Sequence, residues 1–338
     1  MIAAYFLLLC YISSSIVQGQ PTDVAYFNTK NEVGDTPLHI AAQNGNCYIL
    51  NLLLSNGANI SAVNEDGNTP LQLAVIYDNP DAIKLLIDNG ADVNTKNDEG
   101  SNAFMMAVSS ETKNIEIVRL LLDHGARINI ADQTGNTALH SAVTSANVDI
   151  ISLLLEYNAD INVPNAEGDT PLHILVREEV AEEVLGLFIN KVVDLTIRSK
   201  NGDTPLHISS WYGNVNTTQL LIEYHAPINE PNYDGSTPLH LAVLNGNADV
   251  VEMLLRYGAR INIVNKLGNT PLHNAVYKKK EHLVKILLDL GADVKIKNND
   301  GNLPLHLALI NKDTAIAEKL IIFGRIKYDG METLEEDP

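Results

Sequence analysis

Thr237-Pro238-Leu239-His240-Leu241-Ala242 is the stretch of sequence that decides the fold, because its pattern returns along the chain at a nearly constant interval. Blocks in the same phase begin at positions 36, 69, 102, 137, 170, 204, 237, 270 and 303, with steps of 33, 33, 35, 33, 34, 33, 33 and 33 residues. A sustained period of this size is typical of repeat architectures, in which each unit packs on the next. We therefore expect nine repeats rather than two or three independent domains.

Each repeat carries the start and stop signals of two helices. Thr237 is suited to cap the first helix, and Pro238 fits the first helical position, where its missing N–H needs no partner. Asn247 precedes the apolar pattern of the second helix and is suited to cap it, and Gly258 follows that helix, where a left-handed residue commonly ends a helix. The equivalent asparagines are Asn46, Asn79, Asn114, Asn147 and Asn214, and the equivalent glycines are Gly57, Gly90, Gly125, Gly291 and Gly324, with Asn158 replacing glycine in repeat four.

Two repeats depart from the pattern. In repeat three, Asn102–Met105 keeps none of the four letters, so the Thr-Pro cap is missing, and the 35-residue step places two extra residues near 109–113. We expect these residues to lengthen the loop between the two helices. Repeat five has Glu178-Glu179-Val180 in place of the usual Gly-Asn corner, which leaves its helix boundaries open.

The T-P-L-H-x-A unit with this period resembles the ankyrin repeat, over about Asn31 to Gly324. The resemblance implies an all-α solenoid of helix-turn-helix units with projecting β-turn or hairpin loops, occupying residues 31–326. It also implies that the repeated histidines tie each turn to its helix, and that a partner protein is held on the concave side, by the turn tips and the first helices.

Applied residue by residue, the resemblance gives a set of candidate partner-binding residues that is rich in aromatic side chains. Aromatic residues commonly anchor protein interfaces, although some of these could instead pack against the next helix. The candidates are Trp211, Tyr212, Tyr233, Leu244, Asn245, Tyr277 and Lys278.

No motif in the sequence indicates catalysis, a metal or a cofactor. Seven of the ten histidines are the fourth letter of a repeat, so they are spaced along the array instead of converging on one ion. Glu230–Leu241 begins like a calcium loop, but its twelfth position is Leu241 where a bidentate Glu is required. We therefore expect a non-enzymatic protein without cofactors.

The charge balance disfavours two classes of partner. The chain has 23 basic and 42 acidic residues and a net charge of −19. Phosphate backbones and anionic lipid headgroups are bound by clustered Lys and Arg, so neither nucleic acid nor an acidic membrane surface is a good partner. We expect a monomer that binds a protein.

The two ends of the chain differ from the repeats. Ile2–Ile12 is an uncharged apolar run followed by small residues, which is typical of a secretory signal peptide over residues 1–19. The alternative is an uncleaved membrane anchor, although the run is shorter than the roughly 20 residues that span a bilayer. Residues 20–30 form a polar lead that we expect to be extended or disordered, and 327–338 an acidic tail.

Export would bear on two kinds of modification. With Cys10 removed, Cys47 is the only cysteine, so it is either a small packed side chain or a partner in an intermolecular disulfide. Asn59 and Asn216 lie in N-x-[ST] sequons and are candidate glycosylation sites on a eukaryotic secretory route.

Two functional hypotheses follow. The first is a secreted, non-enzymatic binding protein, such as an effector delivered to a host or prey. The second is a toxin-like or structural ankyrin component that acts at a membrane.

We expect export to remove residues 1–19 and to leave Gln20 at the amino terminus, because Val17 and Gly19 are the small residues nearest the end of the apolar run. N-terminal sequencing or the intact mass of secreted material measures this. Membrane-integral material that retains Met1–Gly19 would instead identify the segment as an anchor.

Overall fold

The computed structural model describes residues 24–110, 112, 114–177, 182–189, 191 and 193–332, without the side chains of 182, 183 and 325–332. The proposed signal peptide and the Glu178–Val180 corner therefore lie outside the described residues. The chain divides into two compact units, one ending at Ala159 and one beginning at Asp160. The first holds repeats one to four and the second holds repeats five to nine.

Eighteen α-helices form in the described residues, two in each repeat, which confirms the all-α fold. In the first unit they are α1 (Pro37–Gln43), α2 (Cys47–Ser55), α3 (Pro70–Ile76), α4 (Pro80–Asp88), α5 (Ala103–Ser109), α6 (Ile115–Asp123), α7 (Ala138–Thr144) and α8 (Val148–Glu156). In the second unit they are α9 (Pro171–Arg177), α10 (Glu182–Ile189), α11 (Pro205–Tyr212), α12 (Val215–Glu223), α13 (Pro238–Asn245), α14 (Ala248–Arg256), α15 (Pro271–Tyr277), α16 (Glu281–Asp289), α17 (Pro304–Ile310) and α18 (Thr314–Glu332).

A threonine and a histidine fix the start of the first helix in most repeats. The backbone N–H of Thr237 donates to Nδ1 of His240 at 3.1 Å, and the Thr237 hydroxyl lies 2.9 Å from the same nitrogen. Nε2 of His240 then lies 3.0 Å from the carbonyl oxygen of Asn269, the residue before the next Thr-Pro. Because Nδ1 accepts, Nε2 carries the proton and donates, so one neutral ring joins two repeats.

The same bond recurs between other neighbouring repeats. Nε2 contacts the carbonyl oxygen at 2.9 to 3.2 Å in the pairs His39–Asn68, His173–Asp203, His207–Ser236 and His273–Asn302. In repeat two Gln72 replaces histidine: its Oε1 accepts from the Thr69 N–H at 2.7 Å, and its Nε2 donates to the carbonyl of Ser101 at 3.1 Å. A side-chain amide therefore reproduces both bonds of the histidine.

The asparagines before the second helices do not all act as the predicted caps. Asn46 and Asn147 accept from a backbone N–H of the helix that follows, at 3.1 and 3.2 Å. Asn79 makes no such bond; its Nδ2 donates to the carbonyls of Ala42 and Gln43 in the preceding repeat. Asn247 likewise donates to Ser210 and Trp211. The prediction is wrong for Asn79, Asn214 and Asn247, whose side-chain amides donate instead to carbonyls at the end of the first helix of the preceding repeat.

Repeat three differs from its prediction in one respect and agrees in another. The expectation that it lacks a cap is wrong, because Oδ1 of Asn102 accepts from the Met105 N–H at 2.9 Å. The Asn102 Nδ2 group is buried without a partner, and apolar Met105 replaces the linking histidine. The longer loop is confirmed, since α5 ends at Ser109 and α6 begins at Ile115.

The described part of the lead segment is ordered, contrary to expectation. Tyr26–Asn28 forms a 3-10 helix that buries Phe27 almost completely. Oδ1 of Asn28 accepts from the Asn59 N–H at 2.7 Å, and Nζ of Lys30 donates to the carbonyl of Val63 at 2.6 Å. The polar composition of the segment gave no indication of these bonds, which attach it to repeat one.

Repeat nine exposes apolar residues that neighbouring repeats bury. Leu309 is 59% exposed, whereas Val243 and Val276 at the same position are fully buried. Ile321 is 42% exposed, whereas its counterpart Leu288 is buried. The predicted stop at Gly324 is wrong, because α18 continues through it to Glu332.

Burial makes the linking histidines sensitive to acid. Removal of the ring from water lowers the pKa of His39, His173, His207 and His273, and lowers the pKa of His240 to about 4. Below pH 6.5 the unfolded chain takes up these protons and the folded chain does not. The stabilisation is therefore complete above that pH and is lost as the pH falls.

We expect the free energy of unfolding to fall between pH 7 and 5.5, with about 1.2 kcal/mol of the loss due to His240 alone. His240→Gln removes this part of the loss, since Gln72 makes the same two bonds without titrating. Urea denaturation at the two pH values measures it. His282→Gln is the matched control on an exposed histidine and should keep the wild-type loss; an unchanged loss in His240→Gln would contradict the assignment.

Candidate functional site

The predicted partner-binding residues all lie in the second unit, on the side that carries the first helices and the turn tips. An open groove of about 600 Å³ runs along this side in repeats five to seven. We call it the inner groove, and its lining residues are Glu167, Asp169, Arg177, Ser199, Lys200, Asn201, Asp203, Ile208, Trp211, Tyr212, Asn232, Asp234 and Leu241.

Trp211 and Tyr212 form the aromatic part of the inner groove, at the end of α11. Trp211 is 39% exposed and Tyr212 is 48% exposed. The carbonyl of Trp211 accepts from the side-chain amides of Asn245 and Asn247 at 2.7 and 2.6 Å, which fixes the backbone that presents both rings. Among the described residues the indole N–H has no hydrogen-bond acceptor, so it is free to bind a partner.

The other predicted residues lie near the groove but do not line it. Tyr233 is on the next turn tip, where its N–H donates to the carbonyl of Asn201 at 3.1 Å. A Cβ on Gly202 would lie 2.7 Å from the Tyr233 ring, so the positive φ and small size of this glycine let the ring lie on the preceding turn. Leu244 is half-buried, and Asn245 is exposed and supports Trp211. The three aromatic side chains therefore do not share one lining.

Tyr277 and Lys278 form a separate exposed pair in repeat eight. Nζ of Lys278 lies 5.6 Å from the centre of the Tyr277 ring, within the range of a cation–π contact. Tyr277 is 62% exposed. The pair lies outside the lining of the inner groove.

The charge pairs of the groove were not predicted from the sequence, which indicated only a general acidic balance. Arg177 donates to buried Asp169 at 2.9 Å, and Lys200 lies 3.1 Å from Glu167 on the exposed rim. Asp203 accepts from Nδ2 of Asn232 at 2.8 Å. The repeat motif does not indicate these pairs, because the paired residues lie eight and 33 positions apart in the sequence.

The two sequons differ in their surroundings. Asn59 is exposed in a turn, where its Oδ1 accepts from the Ser61 N–H at 3.0 Å. Asn216 is exposed on α12, but the hydroxyl of Thr218 in its sequon is buried and donates to Ser209 at 3.1 Å. Folding therefore hides the threonine that the glycosylating enzyme must recognise at Asn216.

Cys47 is a half-buried free thiol. Glycosylation and an intermolecular disulfide stay predictions.

The described residues offer few features of other kinds of site. They include no group of three or more His, Cys, Asp or Glu placed to hold a metal ion. None of the helices in this part of the chain is long and apolar enough to cross a membrane. A second open crevice of about 570 Å³ lies between α14 and α16 in repeats seven and eight, beside Arg256 and Asp289.

Comparison with known families supports the repeat pattern. A family model described as "Ankyrin repeats (3 copies)" matches residues 1–97, 94–165, 172–265 and 257–329, which together cover nearly the whole chain. A comparison with curated proteins finds no match.

We expect Trp211→Ala to lower the free energy of unfolding by about 1–2 kcal/mol, because only part of the ring is buried. A fully buried aromatic residue such as Phe188 should lose roughly 3–5 kcal/mol on the same truncation. Denaturation of both variants measures the difference. Equal losses would show that Trp211 is a core residue.

Proposed function

Because this chain belongs to the ankyrin-repeat family, whose repeats form protein–protein interaction modules, we propose that it is a secreted binding protein that holds a partner in the inner groove. Ankyrin-repeat proteins are typically non-enzymatic scaffolds. The partner contacts the first helices and the turn tips, with Trp211 as its main anchor.

The exposed indole of Trp211 beside Tyr212 is the observation that carries this proposal. A large ring with few rotatable bonds loses little entropy on binding, and tryptophan and tyrosine are enriched among the residues that dominate binding energy. Asn245 and Asn247 hold the backbone of Trp211 before any partner arrives. This preorganisation reduces the entropy cost of association.

The apolar run of Ile2–Ile12 supports export from the cell, and an exported ankyrin array fits an effector that is delivered to a host or prey. We propose that the protein acts as a monomer, because the net charge of −19 makes two copies repel each other. The alternative, a toxin-like or structural component at a membrane, is disfavoured by the charge of −19, which repels anionic lipid. Binding to anionic liposomes would favour that alternative.

Trp211→Ala should weaken partner binding by about 2 kcal/mol or more. We propose affinity capture with wild-type protein, Trp211→Ala and Tyr224→Ala, with quantitative mass spectrometry and then affinity measurement on the purified partner. Tyr224 is an exposed tyrosine at the end of α12 in the same repeat, outside the groove lining, so its truncation should leave binding unchanged.

A partner that binds wild-type protein and Trp211→Ala equally would remove Trp211 from the site. A partner lost only in Tyr224→Ala would place the binding surface on the second helices instead.

A further inference from the structure

The inner groove carries an excess of negative charge that its own cations do not neutralise. Its lining includes the carboxylates of Glu167, Asp169, Asp203 and Asp234, but only two cations, Arg177 and Lys200. Arg177 is paired with Asp169, and Lys200 with Glu167. Asp203 and Asp234 therefore lie in the groove without a cationic partner among the described residues.

These two carboxylates lie in the same groove as the exposed aromatic side chains. Asp203 accepts a hydrogen bond from a neutral group, the amide of Asn232. Asp234 is exposed on the turn tip of repeat seven, and its backbone N–H donates to Oδ1 of the same Asn232. The buried side chain of Asn232 therefore bonds to both residues, to the carboxylate of Asp203 and to the backbone of Asp234.

Carboxylates next to indole and phenol rings are suited to a guanidinium group. Arginine presents donors that match a carboxylate, and its planar face stacks on aromatic rings. A lysine ammonium is more strongly hydrated and loses more on leaving water. The groove chemistry therefore favours arginine among the cationic side chains.

Resting on the proposed function, we propose that the segment bound in the inner groove is a basic one, with an arginine seated between Trp211 and the carboxylates of Asp203 and Asp234, which have no cationic partner among the described residues. Apolar neighbours of that arginine contact Tyr212 and Leu241. A second copy of this chain is a poor occupant because it carries the same charge of −19.

The test compares two unlabelled peptides of eight alternating residues, one of arginine and leucine and one of citrulline and leucine. Citrulline has nearly the shape of arginine but no charge. Binding to the full chain is measured by calorimetry and by the emission of Trp211, the only tryptophan in the chain. We expect the arginine peptide to change the emission and to bind about tenfold more tightly than the citrulline peptide, with a preference that falls as salt rises.

The double variant Asp203→Asn/Asp234→Asn should remove this preference. Asparagine is compatible with both positions. Asn269 occupies the first position two repeats further on, where it accepts from Asn298 at 3.0 Å, and Asn201 occupies the second position in the preceding repeat. The control Asp249→Asn/Glu252→Gln changes the net charge equally on exposed positions of α14 and should keep the preference.

Equal binding of the two peptides, no binding of the arginine peptide at millimolar concentration, or the same loss in the control pair would overturn the proposal. Arginine-peptide binding that is lost in Trp211→Ala but unaffected in the aspartate variant would retain the groove and reject the charge preference. Binding that is unaffected in both variants would reject the groove as well.

Discussion

The hydrogen bond from a buried histidine to a backbone carbonyl of the next repeat is the interaction on which this architecture depends. Nδ1 of His240 is held by Thr237, so that Nε2 is aimed at Asn269. One ring thereby fixes the start of its own helix and the position of the following turn. A single ordered side chain satisfies groups from two repeats, which explains how helices of seven to nine residues can be stable.

The sequence predicted the elements whose signals are local. Thr237 and Pro238 mark a helix start because capping depends on neighbouring residues, and Asn158 takes the left-handed conformation expected at a helix end. Local signals failed where a side chain could choose between near and distant partners. Asn79 donates to carbonyls about 36 residues away in the sequence. Gln72 donates to the next repeat in place of the repeated histidine, although it is a different residue type.

The candidate site was predictable in part for the same reason. Trp211 and Tyr212 were placed by their register within the repeat, and that register brings them to the inner groove. The pairing of Arg177 with Asp169 depends on side-chain direction across a helix and a turn, which periodicity does not encode. The register of Tyr233 correctly predicts that it lies on a turn tip, but it does not predict that the ring lies on the preceding turn at Gly202. Tyr233 is therefore not among the residues that line the groove.

Because repeat nine exposes apolar residues, the second unit opens more easily at repeat nine than at its other repeats. A repeat whose apolar face is exposed gains less interfacial stabilisation than a repeat that is packed on both sides, so it opens more easily. Leu309 and Ile321 already expose to water apolar surface that the other repeats would expose only on opening. Repeat eight lies between repeat nine and the inner groove, and contacts in such an array join neighbouring repeats only, so opening of repeat nine does not by itself break a contact of Trp211 or Tyr212.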